Sequence, residues 1–352
     1  MTTTVSFATR DCIAIGCDSL ATASRRFVEP TTFINEFFDE NGELKFGTDG
    51  KPLLQSTADV LDPRFLKSIP YNQIPTATKI FALDPSEKDP VGLLFAGIAQ
   101  IGESTMQNLI GEFRSTHKEF LKSNYGIEEV TNKLLSFFGA KYDSQYSNLH
   151  SKLRPTLEVI VAGYDKGKVT ASPGLYKFVI AGDEKVIAEK KENGEYGLVY
   201  GGQYNVIQRV VHGIDVDTYI GETETVDKFL SKYHIALTEH FANLGVTVPA
   251  IPTYSELLGE LEINPADIGV EQLSNDYGFF PDQMAIEFVG FLIQLMIKSQ
   301  YFSDRLPTVG GEIHIALIKP DGFCWITNEV YKYDGVVIPK MKGIINDSQQ
   351  PK

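Results

Sequence analysis

The run Thr2-Thr3-Thr4 stands directly behind Met1 and leads without a break into strand-like sequence, TVSFATRDCIAIGC (4–17). Val5 and Phe7 alternate with Ser6 and Ala8, and Ile13 and Ile15 alternate with small residues. Arg10-Asp11 supplies the turn between the two runs. A chain end ordinarily frays in solvent. An end written as half of a hairpin is expected inside the fold, and the rest of the chain has to stack around it.

The later patterns come in blocks. TKIFALD (78–84) and GLLFAGIA (92–99) read as strands. A helix is predicted over 103–122, with Met106, Leu109, Ile110, Phe113, His117 and Phe120 on one face, His117 being read as a core-edge histidine. A second helix is predicted over 127–140. A buried strand follows at TLEVIVAGYD (156–165), then hairpin-like sequence up to VYGG (199–202). Helices are predicted at 203–212, 225–243 and 282–302, and the strands GGEIHIALI (310–318) and GFCWIT (322–327) close the series around KPDG. Helices clustered between blocks of strands predict layers rather than βαβ units. The expectation is an α+β fold, compatible with a four-layer αββα sandwich, in a single domain over 1–345. Turn-rich insertions are expected at about 24–75, with ENGE and TDGK as hairpin tips, and at 244–280. The polar tail 346–352 is expected to be disordered.

Composition narrows the function classes. A net charge of −14 and a pI near 4.9 argue against a nucleic-acid partner, which calls for a basic surface. The most apolar stretch, MAIEFVGFLIQLMI (284–297), carries Glu287 and Gln294 and is shorter than the ~20 apolar residues of a membrane span, so no membrane partner is expected. No signal peptide is read at the start. Three cysteines, Cys12, Cys17 and Cys324, give no disulfide framework and point to a reducing, cytoplasmic compartment. Cys12 and Cys17 read as inert packing groups. There is no Walker loop, no HExxH, no CxxC pair and no GxSxG elbow (GESTM, 102–106, ends in methionine). No metal and no cofactor are expected.

That leaves the amino terminus. Methionine ahead of threonine is normally removed, which would give Thr2 a free α-amine with an ordinary pKa of about 7.7–8.0. Beside its own hydroxyl such an amine can take the Oγ proton and make the threonine a nucleophile. Tuning the amine requires a nearby cation, burying the cation requires a carboxylate, and acyl chemistry requires backbone N–H donors for the oxyanion. On β-propensity alone, Thr2 reads as an ordinary strand residue rather than a nucleophile.

TTTVSF…IAIGCDSLATA resembles the start of proteasome β-type subunits and their simpler bacterial relatives, which are N-terminal-nucleophile hydrolases. Asp18 stands sixteen residues after Thr2 and begins DSLAT, as in that family. TKIFAL is similar to the strand that carries the family's lysine, giving Lys79, and LLFAGIAQIG to its oxyanion-hole segment, giving Gly97 and Ala99. TLEVIVAGYD, PGLY (173–176) and YFSDRLPTVGGEIHIALI are similar to its later segments, the last placing the closing aspartate at Asp304. Two departures stand out. Val199-Tyr200-Gly201-Gly202 lacks the serine that contacts the terminal amine, and the serine following the closing aspartate is not matched, Thr308 standing as its substitute.

The resemblance implies the four-layer sandwich, with Thr2, Asp18, Lys79, Gly97 and Asp304 as the catalytic set. Ala21, Thr22, Ala77, Phe81, Phe95 and Ala99 would bind substrate, Thr22 by pairing with an extended backbone. It implies a threonine peptidase acting on peptides or unfolded protein, a homo-oligomeric ring, and compatibility with an ATP-driven unfoldase partner. The rival readings are an amidase of the same class acting on small amides, and a non-catalytic scaffold or ring subunit.

Overall fold

A computed structural model of the chain describes residues 2–28, 30–40, 42–47, 50–54, 66–74, 77–84, 86, 88–168, 172–212, 216–242, 256, 276–303, 306–327, 330–333 and 336–339. These fall into two compact units, Met1–Gln203 with Tyr277–Lys352, and Tyr204–Asp276. The expected insertion at 244–280 lies almost wholly outside the described residues, as do Asp304 and the tail 346–352.

In chain order the first unit begins with β1 (Thr3–Ala8), β2 (Ile13–Asp18), β3 (Ala21–Val28), α1 (Pro30–Phe37) and β4 (Leu66–Ile74). It continues with β5 (Ile80–Ala82), β6 (Val91–Gly97), β7 (Gln100–Ile101), β8 (Ser104–Thr105), α2 (Met106–Thr116), α3 (Lys118–Lys122) and α4 (Ile127–Tyr146). Then come β9 (Leu157–Gly163), β10 (Gly174–Ala181), β11 (Glu184–Lys191) and β12 (Gly197–Gly202). The second unit contributes α5 (Asn205–His212) and α6 (Val216–Ala242). The first resumes with α7 (Asp282–Tyr301), β13 (Ile313–Lys319), β14 (Gly322–Trp325), β15 (Val330–Tyr333) and β16 (Val336–Pro339).

Two five-stranded sheets form the body of the first unit, in the orders β12-β1-β2-β13-β14 and β11-β10-β9-β6-β5. β1 lies between β12 and β2, antiparallel to both, so the chain's first strand is interior to its sheet. That is what the opening alternation demanded. Ile13, Ile15, Ala316 and Ile318 from the first sheet meet Ile80, Leu94, Ile160 and Leu175 from the second in one buried cluster. On the other side of β1, Phe7 meets Phe288 of α7 edge-on at 5.0 Å. The remaining face of the second sheet, through Leu93, Phe95, Val159 and Phe178, packs on Ile110 and Phe113 of α2 and on Val130, Leu134 and Phe138 of α4. Burying side chains of this size is worth about 1.5–3 kcal/mol each. The first cluster therefore holds the two sheets together, and the second holds the helices on the far face of the second sheet.

Three local readings change. The helix expected over 103–122 is broken at His117, which has φ −108° and ψ 25°. Its ring stacks on Phe113 at 4.3 Å and its Nδ1 lies 3.1 Å from the Phe113 carbonyl, so α2 ends there and α3 starts afresh. The helix expected to end near 140 runs to Tyr146, because Tyr142 is fully buried and its hydroxyl donates to Pro155 O. In the expected 24–75 excursion, the described flanks form a two-stranded ribbon, with β3 paired antiparallel to β4 from Ala21↔Ile74 to Val28↔Leu66. Bridges Phe38↔Leu44 and Phe46↔Pro52 bracket the expected ENGE and TDGK tips.

In the second unit α5 buries Ile207, Gln208 and Val211 on one side, and α6 carries the exposed, stacked pair Phe229 and Tyr233. Among the described residues no helix is long and apolar enough to cross a membrane.

Candidate active site

Asp18 is the last residue of β2 and is completely buried. A buried carboxylate is tolerated only if it is hydrogen-bonded and paired with a cation, and both conditions are met. Oδ1 accepts from Thr3 N at 2.9 Å and from Lys79 Nζ at 2.8 Å. Oδ2 accepts from Leu20 N at 3.2 Å and Gly310 N at 3.0 Å. Each donor is placed by a neighbouring strand. The β1–β2 register of Thr4↔Cys17 sets Thr3 beside Asp18, and the β13–β2 register of Ile313↔Asp18 brings the segment ahead of β13 to the carboxylate.

Lys79 stands one residue before β5 and is 7% exposed. Its carbonyl accepts from Phe95 N at 3.0 Å, which pins it to β6. Nζ spends a second proton on Leu20 O at 2.7 Å. The ammonium is thus held between one carboxylate and one carbonyl, at the end of β1 that carries Thr2.

Thr2 is 5% exposed, and its carbonyl accepts from Gln203 N at 2.7 Å. Gly202 makes this approach possible. Its φ is +76°, and a Cβ there would lie 2.0 Å from Thr2 O and 3.3 Å from Ala96 Cβ. The Gly201-Gly202 pair closing β12 is therefore a close-approach device that seats Thr2 against the end of β6. Gly97, the last residue of β6, is exposed with φ +89°, and a Cβ there would meet Thr156 O at 2.1 Å. Asp18 and Lys79 thus meet beside the Thr2–Thr3 peptide, and Gly97 follows directly on Ala96, which stands close to Gly202, while Asp304 lies outside the described residues.

The expected substrate-binding residues divide. Ala21, Thr22, Ala77 and Phe81 are half-buried and Ala99 is exposed, whereas Phe95 is 4% exposed. Phe95 packs edge-on to Phe138 at 5.5 Å and to Phe81 at 5.6 Å, which suits it to a pocket floor rather than a wall. Thr22 pairs with Gln73 of β4, so one edge of β3 is already taken and an added strand would have to use the other. Gln73 Nε2 also donates to Pro307 O at 2.6 Å, tying the ribbon to the segment that carries Thr308.

Two residues with no expected role prove central, Gln203 and Gln300. Thr3 Oγ1 donates to Gln203 O at 2.7 Å. Gln203 Oε1 accepts from Gln300 Nε2 and lies 3.0 Å from Thr308 Oγ1. Gln300 Oε1 accepts from Thr308 N at 2.6 Å and Val309 N at 2.9 Å. A glutamine has no spacing signature, and the only sequence signal was the glycine pair immediately before Gln203.

Burial pushes the Cys17 thiol, next to Asp18, up to about 12 and that of Cys12 up to about 11, so neither offers a thiolate near neutral pH. Among the described residues no group of three or more His, Cys, Asp and Glu side chains is arranged to hold a metal ion. Two open clefts, of about 550 and 400 Å³, are lined by other residues, the first by His117, Glu129 and Lys133 and the second by Glu128, Asp165 and Tyr176.

No protein-family model and no curated protein matches the chain. Among solved structures, an Anbu (Gly-1) mutant from Hyphomicrobium sp. strain MC1 is similar at 10% identity. The match covers 95% of this chain and 88% of that one with a TM-score of 0.41, a likeness too low to bear on the chemistry of the site.

Proposed function

We propose that the chain is a threonine-type amide hydrolase of the N-terminal-nucleophile kind, with the four-layer αββα arrangement that kind implies, acting on peptide bonds after Met1 is removed. The observation that carries this reading is the Asp18 carboxylate. One of its oxygens holds both the Lys79 ammonium and the backbone N–H that follows Thr2. A buried ion pair at that point has no structural need that two well-packed apolar side chains would not meet as well. It does have a chemical use, because a positive charge beside an α-amine lowers the amine's pKa and favours its free-base form.

In the proposed reaction the Thr2 amine takes the Oγ proton and Oγ attacks the substrate carbonyl. The Gly97 N–H stabilises the oxyanion, and the amine returns the proton to the leaving nitrogen. Water, deprotonated by the same amine, then releases the acyl group. Ala21, Ala77, Phe81 and Ala99 over a Phe95 floor suit an apolar substrate side chain. Asp304, a homo-oligomeric ring and an unfoldase partner belong to the same proposal by resemblance alone.

The test is an intact mass spectrum of purified protein with and without a panel of peptide epoxyketones, which close onto both the hydroxyl and the free amine of an N-terminal nucleophile. A species lacking Met1 that gains one adduct, absent in Thr2→Ala, is the expected result. Retained Met1 overturns the threonine mechanism and leaves the scaffold alternative, whereas Met1 removed with no adduct across the panel overturns the peptidase reading and leaves the small-amide or scaffold alternatives.

A further inference from the structure

We propose that Gln203, locked in place by Gln300 and Thr308, is the positioning residue that sets Thr2 for reaction. The inference rests on the threonine-hydrolase reading above and assigns a role that neither the motif spacing nor the resemblance supplies.

Gln203 meets the first strand with both of its backbone polar groups. Its N–H donates to Thr2 O and its C=O accepts from Thr3 Oγ1, both at 2.7 Å. One residue therefore grips the first strand on both sides of the Thr2–Thr3 peptide. The orientation of its side chain is dictated rather than chosen. Gln300 faces two backbone N–H groups, of Thr308 and Val309, so its amide must present oxygen to them and turn its NH₂ toward Gln203. Gln203 must then present its own oxygen in return. The Thr308 hydroxyl lies 3.0 Å from Gln203 Oε1 and 3.1 Å from Gln300 Oε1, and its single proton can serve one of them at a time.

These bonds close a circuit. Gln203 links Thr2 and Thr3 to Thr308. The chain runs from Thr308 through Val309 to Gly310, whose N–H donates to Asp18 Oδ2. Asp18 Oδ1 returns to Thr3 N and holds Lys79. Thr2 and its charge partner are thus fixed to one another by two routes. One is the short contact through Thr3, and the other passes through the glutamines at the end of α7. Cutting the second route frees Thr2 to shift against Lys79 and Gly97 while the first keeps the strand in its sheet. A displacement of about 1 Å at a reacting group costs on the order of 10²-fold in rate.

The experiment measures inactivation by whichever peptide epoxyketone labels the wild type fastest, resolving the maximal rate from the half-saturating concentration. Gln203→Leu and Gln300→Leu are compared singly and together, with thermal melts on each. The expected result is a fall of roughly 10- to 100-fold in maximal rate with half-saturation within about threefold. The double variant should lose no more than the worse single one, because both cut the same circuit. A folded Gln203→Leu protein that labels at the wild-type rate overturns the proposal and leaves the hydrolase reading standing. Additive losses in the double variant, or an effect confined to half-saturation, also overturn it. A wild type that never labels removes the peptidase reading and this inference with it. Should Gln203→Leu fail to fold, Gln300→Leu alone decides by the same criteria.

Discussion

Replacing Lys79 with methionine tests whether the buried pair is a structural keystone as well as a chemical one. Methionine keeps the length and the apolar stem, so the packing loss should stay below about 1.5 kcal/mol. What disappears is the charge. Asp18, with no exposed surface, keeps three backbone N–H donors from Thr3, Leu20 and Gly310 but no counter-ion. Removing one partner of a buried pair costs about 3–5 kcal/mol, and the three remaining donors, each strengthened by the carboxylate charge, hold the cost to about 3 kcal/mol. Trp325, the only tryptophan, sits half-buried in β14 of the same sheet and reports on that unit's unfolding. At a urea slope near 3 kcal/mol per M the midpoint should fall by about 1 M. Asp18→Asn should cost as much, because its NH₂ must oppose either Thr3 N and Lys79 Nζ or Leu20 N and Gly310 N, donor against donor. The double variant should lose at least about 1.5 kcal/mol less than the sum. A Lys79→Met midpoint within ~0.3 M of the wild type would refute this reasoning, since a pair worth that little behaves as a solvated surface contact.

Two further outcomes follow from single positions. Gly202→Ala forces a left-handed alanine whose Cβ falls 2.0 Å from Thr2 O, so Thr2 must move. A loss of about 2 kcal/mol in urea unfolding, together with at least tenfold slower epoxyketone labelling, is expected. In the native protein at pH 8 only Cys324, which is exposed, should react with an aromatic disulfide reagent, and all three thiols should react in urea. Because burial raises the folded-state Cys12 and Cys17 values to about 11 and about 12, unfolding releases protons from these thiols above their ordinary pKa near 9. Their contribution is complete below pH 9 and is lost as pH climbs toward 12, by up to about 1.4 kcal/mol per pH unit for each thiol. Urea midpoints from pH 7 to 10.5 should show this fall, and Cys17→Ala should flatten part of it.

The residues legible from sequence were those whose position is set by local period or by fixed spacing. The alternation of 4–17 located the β1–β2 hairpin because large apolar residues recur there at every second position with small or hydroxyl residues between them, although both faces are buried. Asp18 and Lys79 could be singled out because DSLAT and TKIFAL resemble the motifs of a known family, although sixty-one residues separate the two groups that meet at 2.8 Å. What stayed hidden depends on partners distant in the chain. The break at His117 is made by a side chain turning back on Phe113, a choice that helical periodicity cannot register. The β3–β4 pairing joins Ala21 to Ile74 across turn-rich sequence that gives no register. Gln203 and Gln300 are ninety-seven residues apart and carry no charge, so neither spacing nor electrostatics marks them. Their bonds nonetheless decide where Thr2 sits, because the amide of Gln300 is oriented by backbone N–H groups and passes that orientation on. The charged pair was reached through motifs it shares with a known family, whereas the neutral relay is visible only once the backbone that dictates it is in place. For this site the charged half can be read along the chain and the half that aligns it cannot.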